Sequence, residues 1–309
     1  MDRTNRLVIL GVFVADTAYR AERAPRMGET ILGNSFALGP GGKGSNQAVA
    51  AARLGADVGF ITRLGEDAFA EIAERTWAEA GVRPLVTRDA ESYTGAAYIF
   101  IEEATGDNAI IICPGAAATI SPADIDARRA EIEAASVFVT QLEQPLAAAR
   151  RGLEIARAAG VTTILNPAPA QALPDDLLGL CDWLTPNETE AAELTGLPVD
   201  GLEEARAAAD RLVARGAGGV VVTLGARGAL LHRPGVSELV PAASAGPVVE
   251  TTGAGDAFNG GFATGLARGM APADAVRLGC AVAGISVTRP GTAPSMPTQA
   301  EVEALLAGL

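Results

Sequence analysis

Apolar positions along this chain fall into two alternating patterns. Short runs rich in Val, Ile and Leu are followed by Ala-rich stretches with apolar residues at helical spacing. The first run, residues 6–14 (Arg-Leu-Val-Ile-Leu-Gly-Val-Phe-Val), predicts a buried parallel strand ending at Ala15-Asp16. A mixed stretch over 17–38 holds Pro25, Gly28 and Gly33, and the glycine-rich segment 39–47 then turns into an Ala-rich helix over 47–54. A strand over 57–62 and a helix over 67–80, closed by Gly81, come next. Residues 84–88, 95–101 and 108–113 read as short strands with no helix between them. Together with 17–38 they predict a small antiparallel sheet inserted at two points, a lid at about residues 15–38 and 93–113.

From Ser121 the alternation is regular. Ser121 and Pro122 open a helix, strands are predicted at 136–140, 161–165, 182–185 and 219–224, and helices at 145–159 and 202–215. Strands alternating with helices build a parallel sheet covered on both faces. The fold class is therefore α/β, one main domain over 1–309 with a small lid. Such sheets bind ligands at the carboxyl ends of their strands. Asp16, Glu143, Asn187 with Glu190, residues 225–228 and Asp256 all follow predicted strands, so they should converge on one edge.

A second small-residue segment is 250–262 (Glu-Thr-Thr-Gly-Ala-Gly-Asp-Ala-Phe-Asn-Gly-Gly-Phe), running from a predicted strand end at 247–251 into a helix. Gly253, Ala254 and Gly255 leave N–H groups unshielded at the helix N-terminus, where the macrodipole favours an anion. Asp256 would repel a phosphate there, yet it is placed to take a proton from an attacking hydroxyl. The alternative is that Asp256 caps the helix and the glycines only make a tight turn. Segment 39–47 is no P-loop, because Gly44 and not Ser or Thr follows Lys43. Lys43 is either a phosphate or sugar contact or a solvated residue at a helix start.

Composition narrows the chemistry. With 49% hydrophobic and 20% charged residues, the 309-residue chain reads as a soluble globular protein. A net charge of −13 without a basic run argues against nucleic-acid and anionic-membrane partners. Cys113, Cys181 and Cys280 form no CxxC pair and read as reduced thiols. No signal region is evident, and no run approaches the ~20 apolar residues of a membrane span, so a cytoplasmic protein is expected. The single histidine, His232, is expected at a surface strand end. That leaves the chemistry to carboxylates, amides, lysine and arginine.

Residues 41–48 (Gly-Gly-Lys-Gly-Ser-Asn-Gln-Ala) and 251–260 (Thr-Thr-Gly-Ala-Gly-Asp-Ala-Phe-Asn-Gly) resemble the paired signatures of the ribokinase family of carbohydrate and nucleoside kinases. Segments 141–143, 166–170, 185–190 and 287–291 fit that family in the same order, so the resemblance covers residues 7–297. It implies a three-layer α/β/α ribokinase-like fold with a mainly parallel central sheet. It implies a β-sheet lid that also forms a homodimer contact, and transfer of the ATP γ-phosphoryl group to the 5-hydroxyl of D-ribose or a similar sugar. By the same resemblance Asp256 is the base and Gly253, Ala254 and Gly255 are the anion hole. Asp16, Gly42, Lys43, Gly44, Ser45, Asn46 and Glu143 would hold the sugar. Asn187 would contact the ATP phosphates. Thr223, Leu224, Gly225, Ala226, Arg227 and Gly228 would follow the nucleotide, with Gly255, and Cys280 would lie near adenine. Glu190 would hold Mg2+ through water. A K+ ion beside the hole would be held by Glu250, Thr252, Ser286, Arg289, Gly291 and Ser295, partly through carbonyls.

Two positions depart from the family pattern. Glu250 stands where Asp is usual, and Val14 where the ribose kinases carry Asn and the deoxyribose kinases Met. Val14 either weakens selection for one ring hydroxyl, admitting 2-deoxyribose, or is core packing. A dinucleotide oxidoreductase fits less well, since the first strand leads to Val-Ala-Asp and not to GxGxxG. A non-catalytic sugar-binding protein would need neither Asp256 nor an intact turn before it. An adenosine or fructose kinase stays open, because pocket contacts and not the fold set the substrate.

Overall fold

The computed structural model describes residues 4–308, and the first apolar run becomes two strands in it. β1 (Arg6–Leu10) enters the central sheet, whereas β2 (Val14–Ala21) leaves for a separate one. The break falls at Gly11, where a Cβ would lie 2.7 Å from the Gly44 Cα. The chain crosses the start of the next helix at a distance only glycine allows. Asp16 therefore sits on the second sheet and not at the end of β1.

β3 (Ser35–Gly41) returns antiparallel to β2, and α1 (Lys43–Arg53) starts four residues earlier than expected, directly after Gly42 at φ 89°. β4 (Asp57–Leu64), α2 (Ala68–Ala80) and β5 (Arg83–Arg88) follow. Asp67 caps α2 by accepting from Ala70 N–H, and Gly81 at φ 81° closes it. β5 was expected in the lid but pairs in parallel with β4, as the edge of the central sheet. β6 (Thr94–Glu102) and β7 (Asn108–Gly115) complete the lid, ordered β3-β2-β6-β7. Its inner pair, β2 with β6, is parallel, so the lid sheet is mixed rather than antiparallel. Both strands begin where the chain leaves the main domain, which points them the same way.

The second half keeps the expected alternation, with the helix after Ser121 split in two: α3 (Pro122–Asp126), α4 (Arg129–Glu133), β8 (Val137–Thr140), α5 (Leu146–Ala158), β9 (Thr162–Leu165), α6 (Asp175–Leu178), β10 (Trp183–Leu184), α7 (Glu188–Thr195), α8 (Leu202–Ala214) and β11 (Val220–Thr223). The short helices α6 and α7 are additions to the expected order. A hairpin not foreseen, β12 (Ala229–Arg233) and β13 (Val236–Val240), then runs antiparallel along the other edge. It buries His232 within a strand, where the ring bonds Ser237 and Asp210 at 3.1 and 2.9 Å; the expected exposed strand end is not found. Residues 247–251 form no strand. Val248 and Val249 are exposed, and Val249 N–H donates to Val287 O instead of to a sheet neighbour. α9 (Ala254–Ala267), α10 (Pro272–Ser286) and α11 (Gln299–Ala307) end the fold.

The central sheet reads β13-β12-β11-β10-β9-β8-β1-β4-β5, parallel from β11 through β5. Alternate residues of each strand enter two separate apolar clusters. Leu7, Ile9 and Val139 pack with α1, α2, α9 and α10, while Val8, Leu10 and Phe138 pack with α5, α7 and α8. Each such fully buried side chain contributes roughly 1.5–3 kcal/mol. The result is the expected three-layer α/β/α arrangement with a small second sheet. Among the described residues no helix is long and apolar enough to cross a membrane.

Candidate active site

The cleft forms where the N-terminus of α1 meets that of α9. Gly260 on α9 faces α1 so closely that a Cβ there would lie 2.5 Å from the Ala50 Cβ and 2.9 Å from Gln47 O. With the helices in contact, Asn46 Nδ2 donates to one oxygen of Asp256 (3.0 Å) and Gln47 Nε2 to the other (3.1 Å). Asp256 is therefore no cap. Gly253 at φ 81° is the N-cap of α9, and the Asp256 carboxylate turns into the protein, 7% exposed. Burial raises its pKa, against Lys43, Asn46 and Gln47, which all favour the charged form.

The turn before Asp256 has donors to spare. Ala254 N–H is used within the turn, on Thr251 O at 3.1 Å. The N–H groups of Gly255 and Asp256 donate to nothing among the described residues, and a Cβ on Gly255 would meet no atom within 4 Å. Free first-turn donors facing open space suit an anion.

Lys43, the first residue of α1, is half-buried and not a solvated side chain. Burial disfavours its charge, but Asp256, Glu143 and Glu190 outweigh this and raise its pKa. Its main-chain N–H donates to Glu143 Oε2 at 2.8 Å. Glu143, in the loop after β8, is pushed up to about 7 by burial and by Asp256 and Asp16, against the pull of Lys43. Asp16 reaches in from the lid across Gly41, whose missing side chain leaves room for the carboxyl. Burial and the Asp256 charge push it up to about 6. Acceptors crowded around one ammonium suit a neutral polyol, whose hydroxyls donate.

Asn187 and Glu190 are joined by a capping box on α7: Asn187 Oδ1 accepts from Glu190 N–H (2.8 Å), and Glu190 Oε2 from Asn187 N–H (2.9 Å). The Asn-Glu-Thr-Glu spacing is thus a device for aiming both side chains. The second Glu190 oxygen accepts no hydrogen bond among the described residues, a donor set suited to a hydrated divalent cation. Asn187 also bridges to Thr223 at the end of β11. Lys43, Asn187, Glu190, Thr223, Gly253, Gly255 and Asp256 line one cleft of about 160 Å³.

Other predicted residues lie elsewhere. Ser45 is fully buried; its N–H donates to Val12 O and its Oγ accepts the Trp77 indole N–H at 2.9 Å, so it belongs to the core. Leu224 is buried in the apolar cluster with α8. Residues 225–227 make a short turn with Gly225 at φ 55°, Arg227 pairs with Glu188, and Gly228 at φ 104° lets the chain pass under β13. Cys280 is buried in α10, its thiol pushed up to about 12 by burial.

Of the residues proposed for a monovalent cation, Glu250 and Gly291 meet beside the turn. Glu250 Oε2 accepts Gly291 N–H at 2.8 Å, Val287 O accepts from both Val249 and Glu250, and Gly253 lies against Thr292. The Ser286 and Ser295 hydroxyls donate to Ala283 O and Thr292 O, and Arg289 pairs with Glu301 at 2.5 Å. What these segments offer a cation is therefore main-chain carbonyls and the free oxygen of Glu250, which fits K+. No cluster of three or more His, Cys, Asp or Glu suited to a metal occurs among the described residues.

Sequence reasoning missed the second layer: Gln47, Gln141, Asn166, Thr185 and Asn259, all buried. The available signal was polar amides standing inside otherwise apolar, Ala-rich helix starts and at strand ends. A wider depression of about 520 Å³ lies at the opposite edge of the sheet, beside Arg157, Thr162, Asp182 and Trp183. Arg157 and Asp182 pair with each other there, and none of the motifs reaches it.

Comparison with known proteins gives the family. Residues 4–299 match the pfkB family carbohydrate kinase. The ribokinase of Haemophilus influenzae is 38% identical over 296 residues, 96% of each chain. The deoxyribokinase of Salmonella typhi is 36% identical over 294 residues, 94% of this chain and 95% of the other. The Arabidopsis thaliana ribokinase solved with ribose and ATP superposes with a TM-score of 0.89 at 32% identity, covering 97% of this chain and 98% of that one. With residues 4–299 matched by the family and a relative 38% identical over 96% of its length, the chain belongs to the pfkB family of carbohydrate kinases.

Proposed function

We propose that this kinase transfers the γ-phosphoryl group of ATP to the 5-hydroxyl of D-ribose, with 2-deoxyribose as a competing substrate. The observation that carries the reading is a buried carboxylate, Asp256, one residue beyond the open Gly255 and in the same cleft as Lys43 and Glu190. The hydroxyl oxygen attacks the γ-phosphorus, the bond to the β,γ-bridging oxygen breaks, and the hydroxyl proton passes to Asp256. The N–H groups of the turn meet the charge on the transferring phosphoryl oxygens. Asp16, Glu143 and the main chain around Gly42 hold the other hydroxyls. Asn187 and Thr223, both lining the cleft, hold the nucleotide. Glu190 would hold Mg2+ through water, a charge that neutralises the phosphates. Glu250 and the carbonyls at 252, 286, 289, 291 and 295 would hold K+, which stiffens the adjoining turn.

Val14 supports the second substrate. It lies two residues before Asp16 on β2, hence on the same face, and is 4% exposed. It packs in the apolar cluster there, offering only methyl groups where a hydrogen-bonding side chain would select a hydroxyl. The opposite face of the lid carries Tyr19, Phe36, Leu38, Tyr98 and Ile111, all exposed, with Tyr19 in ring contact with both Phe36 and Tyr98. A second copy of the chain covering this face makes the enzyme a homodimer.

The test is ATP-dependent phosphorylation of ribose, 2-deoxyribose, fructose and adenosine, each in K+ and in Na+. Ribose is expected to lead, with 2-deoxyribose turned over and K+ stimulating. Val14→Asn should move the ribose to deoxyribose ratio toward ribose by about tenfold, the worth of one added hydrogen bond. Fructose or adenosine in the lead would overturn the pentose reading, and an unmoved ratio would leave Val14 as packing.

A further inference from the structure

The mechanism leaves a run of buried polar side chains without a task. Gln141 Nε2 donates to Gln47 Oε1 (2.7 Å), and Gln47 Nε2 donates to both Asp256 Oδ1 and Asn166 Oδ1 (3.1 Å each). Asn166 Nδ2 donates to Thr185 O (2.9 Å), and the Thr185 hydroxyl donates to Asn259 Oδ1 (2.6 Å). Asn259 Nδ2 ends the run on the carbonyl of Gly255 (2.8 Å). None of the five side chains is more than 6% exposed.

Such a run is costly wherever a member is left unsatisfied, and within it only Gln141 Oε1 lacks a partner among the described residues. Packing alone does not call for it, since α1 continues past Gln47 as Ala48, Val49, Ala50 and Ala51, all buried. The Gln47 amide has its oxygen held by Gln141 and both hydrogens committed, so it cannot rotate. One end of the run therefore fixes the Asp256 carboxylate, and the other fixes the carbonyl of the residue whose N–H faces the cleft.

We propose that Gln47 is a positioning residue that registers the Asp256 carboxylate to the Gly255 turn through Asn166, Thr185 and Asn259. The inference rests on Asp256 being the base. Each Asp256 oxygen accepts one hydrogen bond within the protein and keeps a lone pair for the sugar hydroxyl. Gln47 also helps to keep that carboxylate charged against its burial. The other charges facing it are Lys43 on α1, Asp16 on β2, Glu143 after β8 and Glu190 on α7; none of them is altered when Gln47 is replaced.

The experiment is the pH dependence of kcat and KM for wild type, Gln47→Met, Gln141→Met and Asp256→Asn, with the folded fraction of each from thermal unfolding. Gln47→Met keeps the length and loses the donors. Its kcat should fall about 10- to 100-fold, as for loss of a hydrogen bond to a charged group, with KM for sugar and ATP within about threefold. The acid limb of kcat should move up by roughly half to one pH unit, because the base gains protons more readily. Gln141→Met, which only loosens Gln47, should move the limb the same way with a loss of about 3- to 10-fold. It decides the matter if Gln47→Met does not fold. A fall in kcat with an unmoved acid limb in the folded variant, or an unchanged kcat, overturns the positioning role while leaving the base in place. Near-normal turnover in Asp256→Asn overturns the base assignment, and this inference with it.

Discussion

Two glycine turns open helices onto the same cleft, and their glycines serve opposite purposes. Before α1, a Cβ on Gly42 would lie 2.5 Å from Val12 O and one on Gly44 2.6 Å from the Gly11 Cα. Before α9, Gly253 has a positive φ of 81° close to the 89° of Gly42, yet a Cβ on Gly255 would meet nothing within 4 Å. The first turn is glycine because the protein crowds it. The second is glycine because something outside the chain must come close. A glycine-rich helix start is thus two different things, and only the surrounding packing separates them.

The strongest way to sharpen the contrast is to remove the group that the open turn presents. Asp256→Asn should lower kcat by about 10²–10⁴-fold, the worth of a general base, with a thermal midpoint close to wild type. ADP release by the purified variant, measured beside its unfolding curve, checks both halves.

Next come the turns themselves. Gly255→Ala adds a methyl to open space at a helical position, so stability should hold or rise by about 0.5–1 kcal/mol. Its turnover should fall about 10- to 100-fold as the methyl keeps phosphoryl oxygens from the donors. Gly44→Ala should do the reverse and cost about 1–3 kcal/mol of stability through overpacking, seen as a lower urea midpoint. Equal losses of stability in the two variants would erase the distinction.

The smallest effect is one of pH on the unliganded protein. Glu143 and Asp16 have folded-state pKa values of about 7 and about 6, above their ordinary carboxylate values. The folded state then binds more protons than the unfolded chain between about pH 4.5 and 7, so stability falls as pH rises through that window. A loss of roughly 1–3 kcal/mol from pH 5 to pH 8 is expected. Glu29 and Glu301, held at about 2 by Arg23 and Arg289, act in the opposite sense but only as pH falls below the ordinary carboxylate range. A thermal midpoint that is flat or rises from pH 5 to pH 8 would contradict the crowded-carboxylate picture.

Much of this was readable in one dimension. Strand and helix identity follow from spacing a few residues long, so α5, α8, β8 and β9 lie within a residue or two of their predicted bounds. The two signatures and the segment 185–190 are each contiguous, so Lys43, Asp256, Asn187 and Glu190 could be named before their geometry was known. Partners distant along the chain could not be read in this way. That β5 joins β4 rather than the lid, that β2 and β6 run parallel, and that His232 is covered by a hairpin depend on which elements meet. The same holds for Ser45, drawn into the core by Trp77 on α2.

The sequence by itself determined the alternating α/β order, the places where small residues expose N–H groups, and the residue types available for chemistry. The tertiary structure decided what those residues do to one another. Asn46 and Asp256 are separated by 210 positions, and Gln47 and Asn166 by 119, yet each pair is one hydrogen bond apart. Local periodicity sets an element's conformation, but the charge, orientation and accessibility of its side chains depend on neighbours that only long-range packing supplies.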